Sequence, residues 1–116
     1  GLDTADMWGD GAARREFMYS GDMADAVMFA VNHFDSLPEL MNVGMGHDYT
    51  ISEYYAAVAE VIGWCGSLRH DLTKPIGMRQ KLVSVTRQTL LGWTPATSLL
   101  EGLTKTYQYY LERLQE

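Results

Sequence analysis

Met23, Ala26, Val27, Ala30, Val31 and Phe34 recur at three- and four-residue intervals. That is the spacing of one helix face, and it predicts a helix over residues 21–34 with Ser20 as its N-cap. A second stripe runs through Ile51, Tyr55, Val58, Ala59 and Ile62. Thr50 and Glu53 stand at the capping-box spacing, where each satisfies a free backbone N–H at a helix start, and Gly63 ends the segment. A third stripe, Leu99, Leu103, Tyr107, Tyr110 and Leu114, follows a second capping-box pair, Ser98 and Glu101. Its tyrosines are read as core packing and not as a stacking platform.

Between the stripes the pattern shortens. Residues 16–19, 40–43, 68–71 and 82–85 are brief apolar or alternating runs and predict strands. Residues 1–15 are rich in Gly, Ala and Asp and read as loop, as do residues 35–39 and 74–77, which contain Pro38, Pro75 and Gly77. Thr86 caps a helical turn that closes at Gly92. The sum is a single α+β (mixed α/β) domain over residues 1–116, with three main helices and a few short strands. The strands are too few and too short for a complete Rossmann sheet.

Composition narrows this. Hydrophobic residues make up 47% of the chain, enough for an ordinary core, and no run approaches a membrane span of about 20 residues. The reading therefore expects no membrane partner. The start, Gly1-Leu2-Asp3-Thr4, lacks the basic end of a secretory leader. A lone Cys65 suits a reducing cytoplasm. His33, His47 and His70 are too widely spaced for a metal set, so no metal is expected. The net charge of -6 argues against a nucleic-acid partner. The basic residues are nevertheless clustered. Arg14 and Arg15 stand alone in the first 68 positions, and Arg69, Lys74, Arg79, Lys81 and Arg87 then fall within 19.

Chemistry is sparse. Gly44-Met45-Gly46 lies between a predicted strand and a helix, but Tyr49 replaces the third glycine of a dinucleotide loop, so a tight turn is the better reading. No Lys has a Tyr four positions before it, and no nucleophile elbow is present. Cys65 has no neighbouring base and is read as a small packing residue. No catalytic group is assigned. What remains is an anion site. Arg15 stands where a loop becomes a strand, Arg79 and Lys81 lie two apart on an extended segment, and Trp8 offers a flat ring. Arg14 is read as a solvated neighbour.

Six motifs then fall in order: Trp8-Gly9-x-Gly11-x-x-x-Arg15-Glu16-Phe17; Asp22-Met23-Ala24-Asp25-Ala26; Asn42-Val43-Gly44-x-Gly46-x-Asp48-Tyr49-Thr50-Ile51; Lys74-Pro75-x-Gly77-x-x-x-Lys81-Leu82; Leu91-Gly92-Trp93-x-Pro95; and Leu99-x-Glu101-Gly102-Leu103-x-x-Thr106-Tyr107. Together they resemble the C-terminal part of the GDP-L-fucose synthase family. These are extended short-chain dehydrogenase/reductases of the NAD-dependent epimerase/dehydratase group.

The resemblance implies a nucleotide-sugar substrate-binding domain. In that family NADPH and the catalytic groups belong to an N-terminal Rossmann part, so it implies no cofactor site in this chain and no oxidoreductase activity from it alone. Carried over by position, Trp8, Arg15 and Lys81 match substrate contacts, with Arg15 near the diphosphate and Arg79 displaced by one beside Lys81. Ile76 stands where the family commonly has an acidic substrate contact. GDP-sugar, a homodimer partner or a complementary Rossmann-containing chain are the partners implied. A structural or interaction module, and an inert truncation product, stay open as alternatives.

Overall fold

The computed structural model describes residues 3–115. The segment read as loop over residues 1–15 contains two strands, Thr4–Trp8 and Arg14–Arg15, with irregular chain between them; Gly1 and Leu2 lie outside the described residues. β1 (Thr4–Trp8) pairs in parallel with β4 (Ser67–Asp71), from Thr4 opposite Ser67 to Trp8 opposite Asp71. Met7 points inward and is 1% exposed, while Asp6 meets its register partner Arg69 on the outer side through two short bonds. Polar composition hid this strand because only one of its residues is buried.

A second sheet is built from three two-residue strands in the order β3-β2-β5. β2 (Arg14–Arg15) runs antiparallel to β3 (Tyr49–Thr50) and parallel to β5 (Gln80–Lys81). The strands expected over residues 16–19, 40–43 and 82–85 are absent, and the reason is visible in who claims their backbone groups. Phe17 N–H donates to the Tyr54 hydroxyl, the Leu40 carbonyl accepts from the Arg87 guanidinium, and Val83 N–H donates to Glu16; just past the second run, Gly44 pairs both its N–H and its C=O with the Gln88 side-chain amide. Side chains have taken backbone groups that a neighbouring strand would need.

Among the described residues there are four α-helices: α1 (Ser20–Asn32), α2 (Ile51–Ile62), α3 (Thr86–Leu90) and α4 (Leu99–Arg113). The start of α2 follows the expected design. Thr50 Oγ1 accepts from Glu53 N–H, the Glu53 carboxylate accepts from Thr50 N–H, and Gly63 ends the helix at φ 67°, a left-handed conformation that costs glycine little. Elsewhere the caps differ from expectation. Tyr19, not Ser20, is the N-cap of α1, and Val85, not Thr86, that of α3; neither side chain caps. Helix α1 stops at Asn32, followed by a 3-10 turn over Phe34–Ser36. Ser98 does cap α4, but Glu101 turns away to hold Lys105 at 2.8 Å.

The inward faces also shift. On α2 the buried residues are Tyr54 and Ala57, whereas Tyr55, Val58 and Ile62 of the expected stripe are exposed. On α4 the buried residue is Gly102, and Tyr110 and Leu114 are exposed. Helix α2 lies against α4. Cys65, expected to pack, is exposed. Polar latches tie the pieces together. Asp22 accepts from the Thr97 N–H and hydroxyl, and the Trp93 indole donates to Asp25.

The described core is thin: Met7, Ala13, Ala26, Tyr54, Ala57 and Trp93 are its buried apolar residues. The radius of gyration is 17.0 Å. A compact domain of about 100 residues has roughly 13 Å. The chain is a flat slab, with extents of 53 × 37 × 19 Å, and its 47% hydrophobic content is not gathered into one interior. Helix α1 shows this most clearly. Of the stripe expected to face a core, Ala26 is buried, but Met23, Val27 and Val31, and Phe34 in the turn that follows, are 42%, 55%, 62% and 75% exposed.

Candidate functional site

Of the site residues expected from the sequence, Trp8 lies in the first sheet and Arg15 and Lys81 in the second, and the 74–77 loop touches both Trp8 and Arg15. Trp8 ends β1 and is 62% exposed. Behind it Gly9 has φ +76°, and a side chain there would overlap the Cγ2 methyl of Ile76. Glycine is therefore required twice, for its backbone angle and for the close approach of the loop. His70 Nδ1 lies 3.1 Å from the Gly9 carbonyl and holds the same turn to β4. Lys74 places its ammonium 5.5 Å from the Trp8 ring centre, a cation–π contact.

Arg15 follows one turn later. Its guanidinium donates to the Arg14 carbonyl at 2.6 Å and to the Ile76 carbonyl at 3.4 Å. The backbone of Ile76 thus engages Arg15 while its side chain covers Gly9. Across the strand pair, Arg15 is the register partner of Lys81. Arg79 precedes β5, is exposed, and gives its backbone carbonyl to Arg14 N–H at 2.8 Å. The structure therefore brings Arg15 and Lys81 together directly. Arg79 reaches the group through its backbone, and Trp8 through the Lys74–Gly77 loop.

Arg14 is no solvated neighbour. Its Nε donates to Asp48 Oδ1 at 2.7 Å and its Nη2 to the Asp48 carbonyl at 2.9 Å. Gln80 Nε2 donates to the other carboxylate oxygen at 2.6 Å. These donors, first the Gln80 amide and then Arg14, hold the Asp48 carboxyl below the usual carboxylate range against the opposing effect of burial. Tyr54 reaches from α2 to the same strand, donating its hydroxyl proton to the Arg15 carbonyl at 2.9 Å. Burial raises the Tyr54 pKa above its ordinary value. Asp48 stands in the third motif, but nothing in the sequence links it to Arg14, which lies 34 residues away, and Gln80 and Tyr54 carried no signal as its neighbours.

The wider basic cluster disperses. Arg69 is held by Asp6, and the Arg87 guanidinium donates to the Leu40 carbonyl. Nor does the glycine turn offer a free phosphate cradle. Met45 and Gly46 direct their N–H groups at Glu16 Oε1. A partly enclosed cleft lined by Phe17, Tyr19, His47, Tyr49 and Leu103 lies apart, and Trp8, Arg15, Arg79 and Lys81 do not line it. Among the described residues, no cluster of three or more His, Cys, Asp or Glu is placed to hold a metal ion, and no helix is long and apolar enough to cross a membrane.

Residues 3–44 match the model of the NAD dependent epimerase/dehydratase family. The chain is 48% identical over 111 residues to a GDP-L-fucose synthase of Azorhizobium caulinodans, covering 96% of this chain and 36% of that protein. It is 45% identical over the same length to a GDP-L-colitose synthase of Yersinia pseudotuberculosis, again 36% of that protein. In fold it resembles a GDP-mannoheptose C4 reductase from Campylobacter jejuni solved with NADP bound, with a TM-score of 0.78 and 27% identity, over 94% of this chain and 32% of that one. The chain spans about a third of the length of these relatives. By sequence the chain is homologous to GDP-L-fucose synthases and related members of the NAD dependent epimerase/dehydratase family.

Proposed function

We propose that the chain is the nucleotide-sugar-binding part of a GDP-L-fucose synthase-like epimerase/reductase, corresponding to the C-terminal region of its relatives. The observation that carries this reading is the register pairing of Arg15 with Lys81. Side chains of paired residues share a face, so Lys81 stands on the Arg15 side of the sheet, and the 74–77 loop links Arg15 to Trp8. Such a pair suits a diphosphate, and the ring suits a base or sugar face. The names of the relatives, synthases of GDP-L-fucose and GDP-L-colitose, favour a GDP-sugar. We place the chain in the cytoplasm on the free thiol of Cys65. Calorimetric titration with GDP tests the reading. Saturable binding that is lost in Arg15→Ala supports it; no heat of binding from the folded chain refutes it.

Hydride transfer needs a positioned nicotinamide and an acid/base group, and the sequence has no Lys with a Tyr four positions before it to serve it. The chain alone is therefore proposed to be inactive and to complete a site whose cofactor half is carried elsewhere. NADPH oxidation with GDP-4-keto-6-deoxymannose as substrate checks this. Turnover by the purified chain would overturn it.

A second reading rests on the uncovered stripe of α1. Met23, Val27, Val31 and Phe34 form an apolar band that water does not favour. It is the surface of an interaction module, covered by a complementary Rossmann-containing chain or by a second copy. Sedimentation at increasing concentration tests the second copy; a monomer at every concentration removes it.

A further inference from the structure

Asp48 precedes β3 and belongs to no strand, yet two of the three strands of its sheet converge on it. Its carboxylate accepts from Arg14 Nε of β2 and from Gln80 Nε2 of β5, at 2.7 and 2.6 Å. Its side chain is 5% exposed, against 42% for that of Arg14. The two strands it joins have two residues each, with Arg14 opposite Gln80 and Arg15 opposite Lys81. A ladder this short has little stability of its own. Alternation along a strand puts Arg14 and Gln80 on the Asp48 side and Arg15 and Lys81 on the other.

We propose that Asp48 is a positioning residue for diphosphate binding: by clamping Arg14 and Gln80 it sets the spacing of Arg15 and Lys81 on the opposite face. This rests on the nucleotide-sugar reading above. The polarity of the clamp is what makes it specific. Both side chains present only donors toward Asp48, and a carboxylate offers only acceptors. An amide at position 48 satisfies one donor and turns its own N–H₂ against the other. The two cations then lose their common reference while their charges stay unchanged.

Rescue separates positioning from plain stability. In Asp48→Asn the clamp is half broken. In Asp48→Asn/Gln80→Glu the new amide donates to the new carboxylate and still accepts from Arg14, with no net change of charge. Calorimetric titration of GDP into the whole chain is the readout, with thermal unfolding alongside. Asp48→Asn is expected to weaken GDP about tenfold, the scale of one charge-assisted hydrogen bond, and the double variant to recover most of that loss. Wild-type affinity in Asp48→Asn overturns the proposal, as does a double variant that regains thermal stability but not affinity. If Asp48→Asn fails to fold, Gln80→Ala removes one arm of the clamp from an exposed position. It is expected to lose a few-fold in affinity, and wild-type affinity there overturns the proposal too. A folded wild type that takes up no GDP is a different result: it refutes the nucleotide-sugar reading and the positioning role falls with it.

Discussion

The Glu16 carboxylate sits against the backbone of Gly46, accepting its N–H at 3.0 Å. The same oxygen takes the N–H of Met45, and the second oxygen takes that of Val83 at 3.2 Å. A turn with the outward look of a phosphate loop is thus occupied by an anion of the chain itself. Glu16 follows directly on β2, so it also fixes the exit of the strand that carries Arg15.

Glu16→Ala leaves three backbone donors without their acceptor. Each such bond to a charged group contributes on the order of 1.5–3 kcal/mol when buried, and water replaces part of it here because Gly46 and Val83 are exposed, so a net loss of about 1–3 kcal/mol is expected. Thermal or urea unfolding measures it. Hydrogen exchange sharpens it: the amides of Met45, Gly46 and Val83 should lose protection together. Unchanged exchange at all three would show that the carboxylate does not hold this turn.

The Met45 and Gly46 N–H groups that a dinucleotide phosphate would need at the same turn go to Glu16. Titrating NADPH should leave the amide resonances of Gly44, Met45 and Gly46 unmoved in the wild-type chain. Saturable shifts confined to these three residues would overturn this expectation and restore the glycine turn as a cofactor loop.

Much of this was legible in local patterns, and the rest was not, for a physical reason. Helix α2 was readable because its signals are within four residues of each other: Thr50, Glu53 and Gly63 act on their own helix ends. β4 was readable as a short alternating run. β2 and β5 were not, because two-residue strands have no period. They exist through Asp48 and Tyr54, which lie 34 and 39 residues away from the groups they bind. On α2 the spacing points to Tyr55 and the structure buries Tyr54, because hydrophobic spacing shows that a face wants covering and does not say whether the cover is in the same chain. Trp8, Arg15 and Lys81 are proposed from motif, while the bonds that tie Arg15 and its strand to Asp48, Gln80 and Tyr54 are visible only in the structure.

Gly9 admits a sharper test of the loop. Gly9→Ala adds a methyl at φ +76° where the Ile76 Cγ2 methyl already lies. The expected cost is about 1–3 kcal/mol from backbone strain together with displacement of the 74–77 loop. Displacing that loop also removes the Ile76 carbonyl from Arg15. In a double-mutant cycle, Ile76→Ala should recover the steric part and leave the strain. Strict additivity of the two changes in the unfolding free energy would show that the methyl and the side chain do not meet.

Acid should weaken the fold in a defined window. Asp48 and Glu53 both titrate below their ordinary values of 3.8 and 4.5, Asp48 chiefly through the Gln80 amide and Glu53 chiefly through the Thr50 backbone N–H. A carboxyl whose folded pKa is depressed binds its proton less readily when folded than when unfolded. Its contribution is complete above the unfolded value and disappears as pH falls through the folded one. The thermal midpoint should therefore be flat from neutrality down to about pH 5 and fall below it. In Asp48→Asn the midpoint is lower at neutrality and the acid decline shallower. An equally steep decline in that variant would show that Asp48 carries none of the acid sensitivity.

The exposed stripe of α1 gives the last prediction. Met23, Val27 and Val31 are spaced four apart, so their side chains stack along one line of the helix. Burying half-exposed Val27 and Val31 against any partner contributes on the order of 25 cal/mol per Å² of apolar area covered. The thin core gives no competing place for this band to go. A second copy offers an identical band, and two such helices can pack about a two-fold axis. The free chain is therefore expected to sediment as a monomer when dilute and to shift to a dimer as its concentration rises. Val27→Lys/Val31→Lys puts two like charges into the centre of that contact and should hold the chain monomeric. It should leave GDP binding unchanged, because α1 contributes no residue to the Arg15–Lys81 edge. Dimerisation that survives the double substitution would place the contact elsewhere on the slab. Loss of GDP binding on making it would show that the band and the edge are not separate.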